Sequence, residues 1–278
     1  MFIPVRLRQF PRFVIDMARR RAVQRRSQSR RGSITLCYFS CASYYKYQYC
    51  SLHSLRFAQS DVPVRVIVFC DRNEMFSGPQ REALMSLVPG LEIITWDKSQ
   101  GWGATQIASI WRAYAHAAEG CGDDDYVGRI DADVFFFSPW LFDLVLKSGA
   151  DLIGDGHYVR FEFCQGGVYF LKAKAIRNIC AFLNERKLEE ILSDAKVNVE
   201  DMATYHLVQA TGHRSWLTWF MMFPDEYRIA GRLNKYQRQK FSCLHFAIRN
   251  KEKMLQVYRK ELIDPREGSS FEAAISIL

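Results

Sequence analysis

Short apolar runs alternate with longer stretches of helical spacing through most of this chain. Residues 34–39 and 64–70 are mostly apolar, β-branched-rich runs of strand length, closed by Ser40 and Asp71. Such runs read as strands buried on both faces. Residues 91–96 and 126–130 are two more. Helices are expected between them, over residues 44–58, 79–87 and 106–118. In the last of these, Ile107, Ile110, Trp111, Tyr114 and Ala118 recur at spacings of three and four, which puts them on one face. Strands alternating with helices predict an α/β fold with a largely parallel sheet. Ligands of such sheets bind at the carboxyl ends of the strands, where Ser40, Asp71 and Asp131 fall. There is no internal repeat and no low-complexity linker. A single domain over residues 33–262 is expected, with 263–278 as a C-terminal tail.

Residues 1–32 stand apart. They hold ten arginines, no lysine and one acid, Asp16, whereas the other 246 residues hold 28 basic and 29 acidic groups. The net charge of +8 therefore belongs to an arm. A nearly neutral body lacks the basic face that nucleic-acid binding requires. Phe10, Phe13, Val14 and Met17 fall at i, i+3, i+4 and i+7. A basic amphipathic helix of this kind suits an anionic membrane surface. A solvated arm and an arginine-rich transit peptide are the alternatives the composition leaves open.

No apolar run reaches the roughly 18 residues of a spanning helix. No N-terminal apolar core of about 7–15 residues marks a secretory signal. The eight cysteines contain no C-x-x-C pair and sit mostly in apolar runs. Reduced, buried thiols in the cytoplasm are expected, without structural zinc; the arm could lie on the inner face of a membrane.

The candidate chemistry centres on Asp131 and Asp133. Two carboxylates at i and i+2 after a buried strand share one side of extended chain. Like charges that close need a cation or donors, and hard oxygen ligands suit Mg²⁺ or Mn²⁺ shared with phosphates. A solvated turn is the plainer alternative, but Phe135, Phe136 and Phe137 follow directly. Asp123, Asp124 and Asp125, just after Gly120 and Gly122, fit a solvated turn better.

The segment from Tyr126 to Pro139 resembles the Asp-x-Asp region of GT-A fold glycosyltransferases. Three later features strengthen the resemblance. Phe163-Cys-Gln-Gly-Gly-Val-Tyr-Phe-Leu171 is similar to the glycine-containing strand of these enzymes. Val199-Glu-Asp-Met202 resembles the Glu-Asp segment of some inverting families. Cys243-Leu-His-Phe246 is similar to the C-terminal strand that carries a metal-binding histidine. The order is closest to inverting β-1,3-type families, with some likeness to family 8 enzymes. Two departures stand out. Met202 follows the acidic pair, and the Gly-x-x-Lys-Pro-Trp ending of one retaining family is missing, although Lys251 and Lys253 lie nearby.

The resemblance implies a GT-A-like domain with a mixed, largely parallel sheet. It also implies transfer of a hexose from a nucleotide-diphosphate sugar, UDP-linked by expectation, to a glycan or glycolipid hydroxyl. Asp131, Asp133 and His245 would hold Mn²⁺ or Mg²⁺, and Asp201 would be the general base of an inverting transfer. Gln165, Gly166, Gly167 and Glu200 would face the sugar or acceptor, with His157 and Glu162 in reach. From the residues alone, His245 reads first as a core histidine, and Asp201 reads as well as a helix-dipole partner as a base. Paired glycines mark a bulge or a close approach of backbone to ligand. Tyr38, Phe39, Ser40 and Asp71 sit where a base and ribose would bind. One of Tyr44, Tyr45, Tyr47 and Tyr49 could stack on a base. Arg112 or Arg129 could offset diphosphate charge or pair with local acids.

No phosphate-binding glycine loop of the P-loop or dinucleotide type follows the first strand. Two rival readings remain at this level. One is a sugar-nucleotide nucleotidyltransferase, disfavoured because Ser40-Cys-Ala-Ser-Tyr44 stands where its glycine-rich loop belongs. The other is a non-catalytic, membrane-associated nucleotide-sugar-binding protein.

Overall fold

A computed structural model describes residues 10–25, 32–58, 61–97, 103–158, 162–246 and 251–277. The four predicted strands form as β1 (Ile34–Ser40), β2 (Val64–Asp71), β3 (Glu92–Trp96) and β4 (Tyr126–Asp131). They lie parallel in the order β3-β2-β1-β4. The predicted helices between them are α2 (Tyr45–Ala58), α3 (Gly78–Leu87) and α4 (Ala104–Ala117). Helix α3 starts where Ser77 and Gln80 cap each other's backbone N–H groups, which satisfies two otherwise unpaired donors.

Beyond β4 the sheet becomes mixed. The long β7 (Glu162–Lys172) pairs antiparallel with β4, and β6 (Leu152–Tyr158) pairs antiparallel with β7. An edge strand, β8 (Ser215–Thr218), runs parallel to β6. The seven strands take the order β3-β2-β1-β4-β7-β6-β8. A second sheet of three short strands, β5 (Val134–Phe136), β10 (Cys243–His245) and β9 (Met221–Met222), sits beside the end of β4.

Each face of the main sheet buries its own apolar core. On one side Leu36, Tyr38, Val66, Val68, Ile130 and Phe170 pack with α2 and α5 (Trp140–Ser148). On the other, Cys37, Ile67, Phe69 and Tyr169 pack with α4, α6 (Ala173–Glu185), α7 (Leu188–Ala195) and α8 (Glu200–Ala210). Alternation along β1 therefore sends Tyr38 and Phe39 to opposite faces. All eight cysteines are free, and Cys37, Cys50, Cys70, Cys164 and Cys243 are buried.

Two terminal segments are more firmly attached than the composition suggests. The last helix, α12 (Gly268–Ile275), buries Phe271 and Ile275 against the core, and Tyr45 Oη donates to Ala274 O. Residues 263–277 are thus part of the fold rather than a tail. The arm contains α1 (Phe10–Gln24), which docks on the body through polar contacts. Asp16 accepts from Trp216 Nε1, Thr218 Oγ1 and Trp219 N. Arg20, only 1% exposed, donates to Trp219 O and Lys240 O and lies 4.4 Å from the Trp140 ring centroid. Burial pushes its guanidinium down to about 10. No helix among the described residues is long and apolar enough to cross a membrane.

Only part of the expected membrane stripe lies among the described side chains. Val14 is exposed, but Met17 is half-buried and touches Arg20. The Phe10 and Phe13 side chains lie outside the described set. The face of α1 that meets solvent carries Val14, Ile15, Ala18 and Ala22.

Candidate active site

Strands β1 and β4 are in register, with Phe39 opposite Asp131, so a cleft opens where both end. Asp131 is the last residue of β4. A turn at Ala132 and Asp133 separates β4 from β5, so a turn, rather than strand alternation alone, brings the two carboxylates together. β5 pairs antiparallel with β10, placing His245 opposite Val134, and Phe246 N donates to Asp133 O. This pairing carries His245 to the Asp-x-Asp turn from more than a hundred residues away. His245 Nε2 stands 3.4 Å from Asp133 Oδ1 and 3.6 Å from Asp131 Oδ2. One ligand atom from each of the three lies within 4.8 Å of the others.

Gly167 explains how an imidazole fits there. A Cβ at this position would stand 2.5 Å from His245 Nδ1. The missing side chain on β7 is filled by the histidine ring, a specific reason for the glycine that strand statistics alone do not supply. Next door, a Cβ at Gly166 would meet Arg129 Nη1 and Asp201 Oδ2, both at 3.3 Å. The bare backbone lets the first turn of α8 approach, and Gly166 N donates to Asp201 Oδ2.

A buried network supports the cluster. Arg129, two residues before Asp131 on the same face of β4, places Nη2 3.0 Å from Asp131 Oδ1 and Nε 3.4 Å from Glu200 Oε2. Glu200 Oε1 accepts from Tyr114 and Tyr169 hydroxyls and from Thr204 Oγ1. On the other side Lys251, the first residue of α11 (Lys251–Leu262), sits 3.3 Å from Asp133 Oδ2 and over the Tyr44 ring.

The electrostatics follow from burial and partners. Burial pushes the Asp131 carboxyl up, and Asp133 adds to this while Arg129 opposes it. Burial also acts on Asp133, but His245 and Lys251 outweigh it and hold that carboxyl below the usual range. Burial and neighbouring Glu200 push Asp201 up to about 6, against the N–H groups of Met202 and Gly166 and the charge of Arg129. Arg129 is raised well above its ordinary value: desolvation works against its charge, but Asp131 and Glu200 prevail.

These groups line one cavity of about 390 Å³, within the range of small-molecule sites. Four carboxylates (Asp131, Asp133, Glu200, Asp201) face two fixed cations, Arg129 and Lys251, around it. The excess negative charge and the oxygen-rich donor set fit a hard divalent cation.

Most of the expected residues meet here. Asp131, Asp133, His245, Asp201, Gln165, Gly166, Gly167, Phe39 and Ser40 all line the cavity. Three expected nucleotide residues do not. Tyr38 is buried on the opposite face of β1, where its hydroxyl accepts from Ser51 Oγ. Asp71 caps a 3-10 turn by accepting from Asn73 N. Arg112 is exposed on α4, because Ile110, Trp111 and Tyr114 take the inward positions. Glu200 borders the cavity, but its carboxylate is engaged by the tyrosines, Thr204 and Arg129 rather than presented to a sugar. Of the four tyrosines in this region, Tyr44 lines the cavity, while Tyr45, Tyr47 and Tyr49 are core. The side chains of His157 and Glu162 lie outside the described residues.

Sequence reasoning missed Tyr114, Tyr169 and the placement of Lys251. The two tyrosines are inseparable from core residues by pattern. Lys251 carries no local frame beyond its position six residues after His245.

No family model matches the sequence, and no curated protein matches it. Several solved structures are similar in fold. An active-site mutant of LgtC shares 14% identity over 85% of this chain and 99% of that chain, with a TM-score of 0.50. Apo WbbM, a bifunctional glycosyltransferase, shares 10% identity over 90% of this chain and 52% of that chain, with a TM-score of 0.51. The galactosyltransferase LgtC with donor and acceptor sugar analogues matches at 13% identity, 85% and 99% coverage and a TM-score of 0.49. The chain thus has a GT-A-like α/β fold, with a mixed, mostly parallel seven-stranded sheet and an Asp-x-Asp cluster suited to a metal at its carboxyl end.

Proposed function

We propose that this protein is a metal-dependent glycosyltransferase. It moves a hexose from a nucleotide-diphosphate sugar, UDP-linked in our reading, to a hydroxyl on a glycan or glycolipid. The observation that carries the reading is the convergence of Asp131, Asp133 and His245 at the end of β4, in the same cavity as Asp201.

In this reading Asp131, Asp133 and His245 hold Mn²⁺ or Mg²⁺. When bound, the ion would supply Lewis-acid stabilisation of the leaving diphosphate. Lys251 Nζ stands beside Asp133 and offers a second positive charge to the phosphates. Phe39, Ser40 and Tyr44 form the nucleotide end of the cavity; Gln165, Gly166 and Gly167 form the sugar end. Arg129 fixes the Asp131 carboxylate, and Glu200 with Tyr114 and Tyr169 fixes Arg129. Asp201, pushed up to about 6, takes the proton of the acceptor hydroxyl. A base titrating near the working pH is effective at this step.

The test is UDP release from a panel of UDP-hexoses with Mn²⁺, with and without simple sugar acceptors. Turnover that Asp133→Asn abolishes while thermal unfolding stays cooperative supports the proposal. Binding of the donors without any turnover would leave a nucleotide-sugar-binding protein instead. The anomeric configuration of the product tests Asp201 separately: inversion is expected, and retention removes it as the base without touching the donor site.

A further inference from the structure

The outward face of the N-terminal helix points to a partner outside the cleft, independently of the reaction proposed above. Six large hydrophobic residues are clearly exposed among the described residues, and four of them are Val14, Ile15, Ile229 and Tyr236. Two lie on α1; the others lie on α9 (Pro224–Ala230) and α10 (Lys235–Lys240). The end of α10 meets α1, because Arg20 donates to the carbonyl of Lys240, and α9 precedes α10 in the chain.

The charge around these residues is of one sign on α1. Arg19 and Arg21 are exposed there and Arg25 just after it, and Asp16, the one acid of residues 1–32, is turned inward onto Trp216, Thr218 and Trp219. On α9, α10 and the link between them, Arg228, Arg232 and Lys235 are exposed. Asp225 there stands 3.6 Å from Arg228. Apolar side chains flanked by guanidinium groups, with no free acid on the face of α1, match a surface that is apolar beneath a layer of phosphates.

We propose that the outward face of α1 is a docking face for an anionic lipid bilayer. Asp16 and Arg20 hold α1 against the body, so the face is presented by the folded domain and not by a free arm. Val14 and Ile15 enter the acyl boundary, and the arginines meet lipid phosphates. The occupant is lipid rather than a second copy of this chain, because a copy would bring its own arginines against these.

Co-sedimentation of the full chain tests this with two vesicle types: pure phosphatidylcholine, and an equal mixture of phosphatidylcholine and phosphatidylglycerol. Salt-sensitive binding to the mixed vesicles alone is expected. Arg21→Gln with Arg25→Gln should weaken it roughly 30-fold, from about 1 kcal/mol per basic residue near an anionic surface. Val14→Ser with Ile15→Ser should also weaken it. Both pairs of side chains are solvent-exposed, so thermal unfolding should be unchanged. Equal binding to both vesicle types, or mixed-vesicle binding untouched by either pair, would overturn the proposal. So would loss of self-association, in place of vesicle binding, when Val14 and Ile15 are replaced.

Discussion

Replacing Gly167 with alanine would set a methyl carbon 2.5 Å from His245 Nδ1, 2.8 Å from Cε1 and 2.9 Å from Cγ. Ordinary contact begins near 3.4 Å, so in a close-packed interior the ring must retreat by roughly 1 Å or turn. His245 is 4% exposed, with the Phe223 ring centroid 6.0 Å away, so the retreat is resisted. Overpacking of this kind costs about 1–3 kcal/mol, or a fall in Tm of roughly 2–10 °C in a domain of this size. The larger effect should fall on metal binding. Nε2 is drawn away from Asp131 and Asp133, and misplacing a ligand through its support weakens metal affinity by roughly 10–100-fold. Isothermal titration with Mn²⁺ in the presence of UDP, paired with thermal melts, measures both. Gly128→Ala is the control. Its methyl would meet the Phe170 ring at 2.6 Å, away from the cluster, so it should lower Tm and leave Mn²⁺ affinity unchanged. If Gly167→Ala bound Mn²⁺ as tightly as the parent, His245 would not be a ligand and the reasoning would fail.

Three further outcomes are expected. Arg129→Met removes the one cation between Asp131 and Glu200 and should destabilise by about 3–5 kcal/mol in urea titrations; Glu200→Gln in the same chain should recover part of this. Asp201→Asn should abolish turnover, and wild-type turnover should rise with pH through about 6. Because the folded carboxyl is raised above its unfolded value, ionised Asp201 burdens the fold. That penalty is absent below about pH 4, grows as pH rises, and is complete above pH 6, where the variant should be more stable by about 1–3 kcal/mol. Arg20→Ala, which strips donors from Trp219 O and Lys240 O, should cost roughly 3 kcal/mol by chemical denaturation.

The four parallel strands and Asp131 were legible because strong apolar runs mark them and Asp131 closes the last. Glu200 and Asp201, which open α8, and His245, which ends β10, were singled out by their likeness to segments of GT-A glycosyltransferases, not by any apolar run. What stayed hidden depended on direction and distance. A strand apolar on both faces does not reveal which side a residue faces, so Tyr38 read as well as Phe39 for the cleft. Lys251 reaches Asp133 from the start of a helix, where nothing local distinguishes it from any exposed lysine. Asp16 and Arg20 lie in an arginine-rich stretch that looks solvated. Their partners, Trp216, Thr218, Trp219 and Lys240, lie about 200 residues away, beyond any local pattern.

The most direct test of the metal cluster is anomalous scattering from crystals grown with Mn²⁺ and UDP. One strong peak bonded to Asp131, Asp133 and His245 Nε2, with diphosphate oxygens completing its shell, is the expected result. Ordered UDP with no peak between these side chains, or a peak bound elsewhere, would contradict the account.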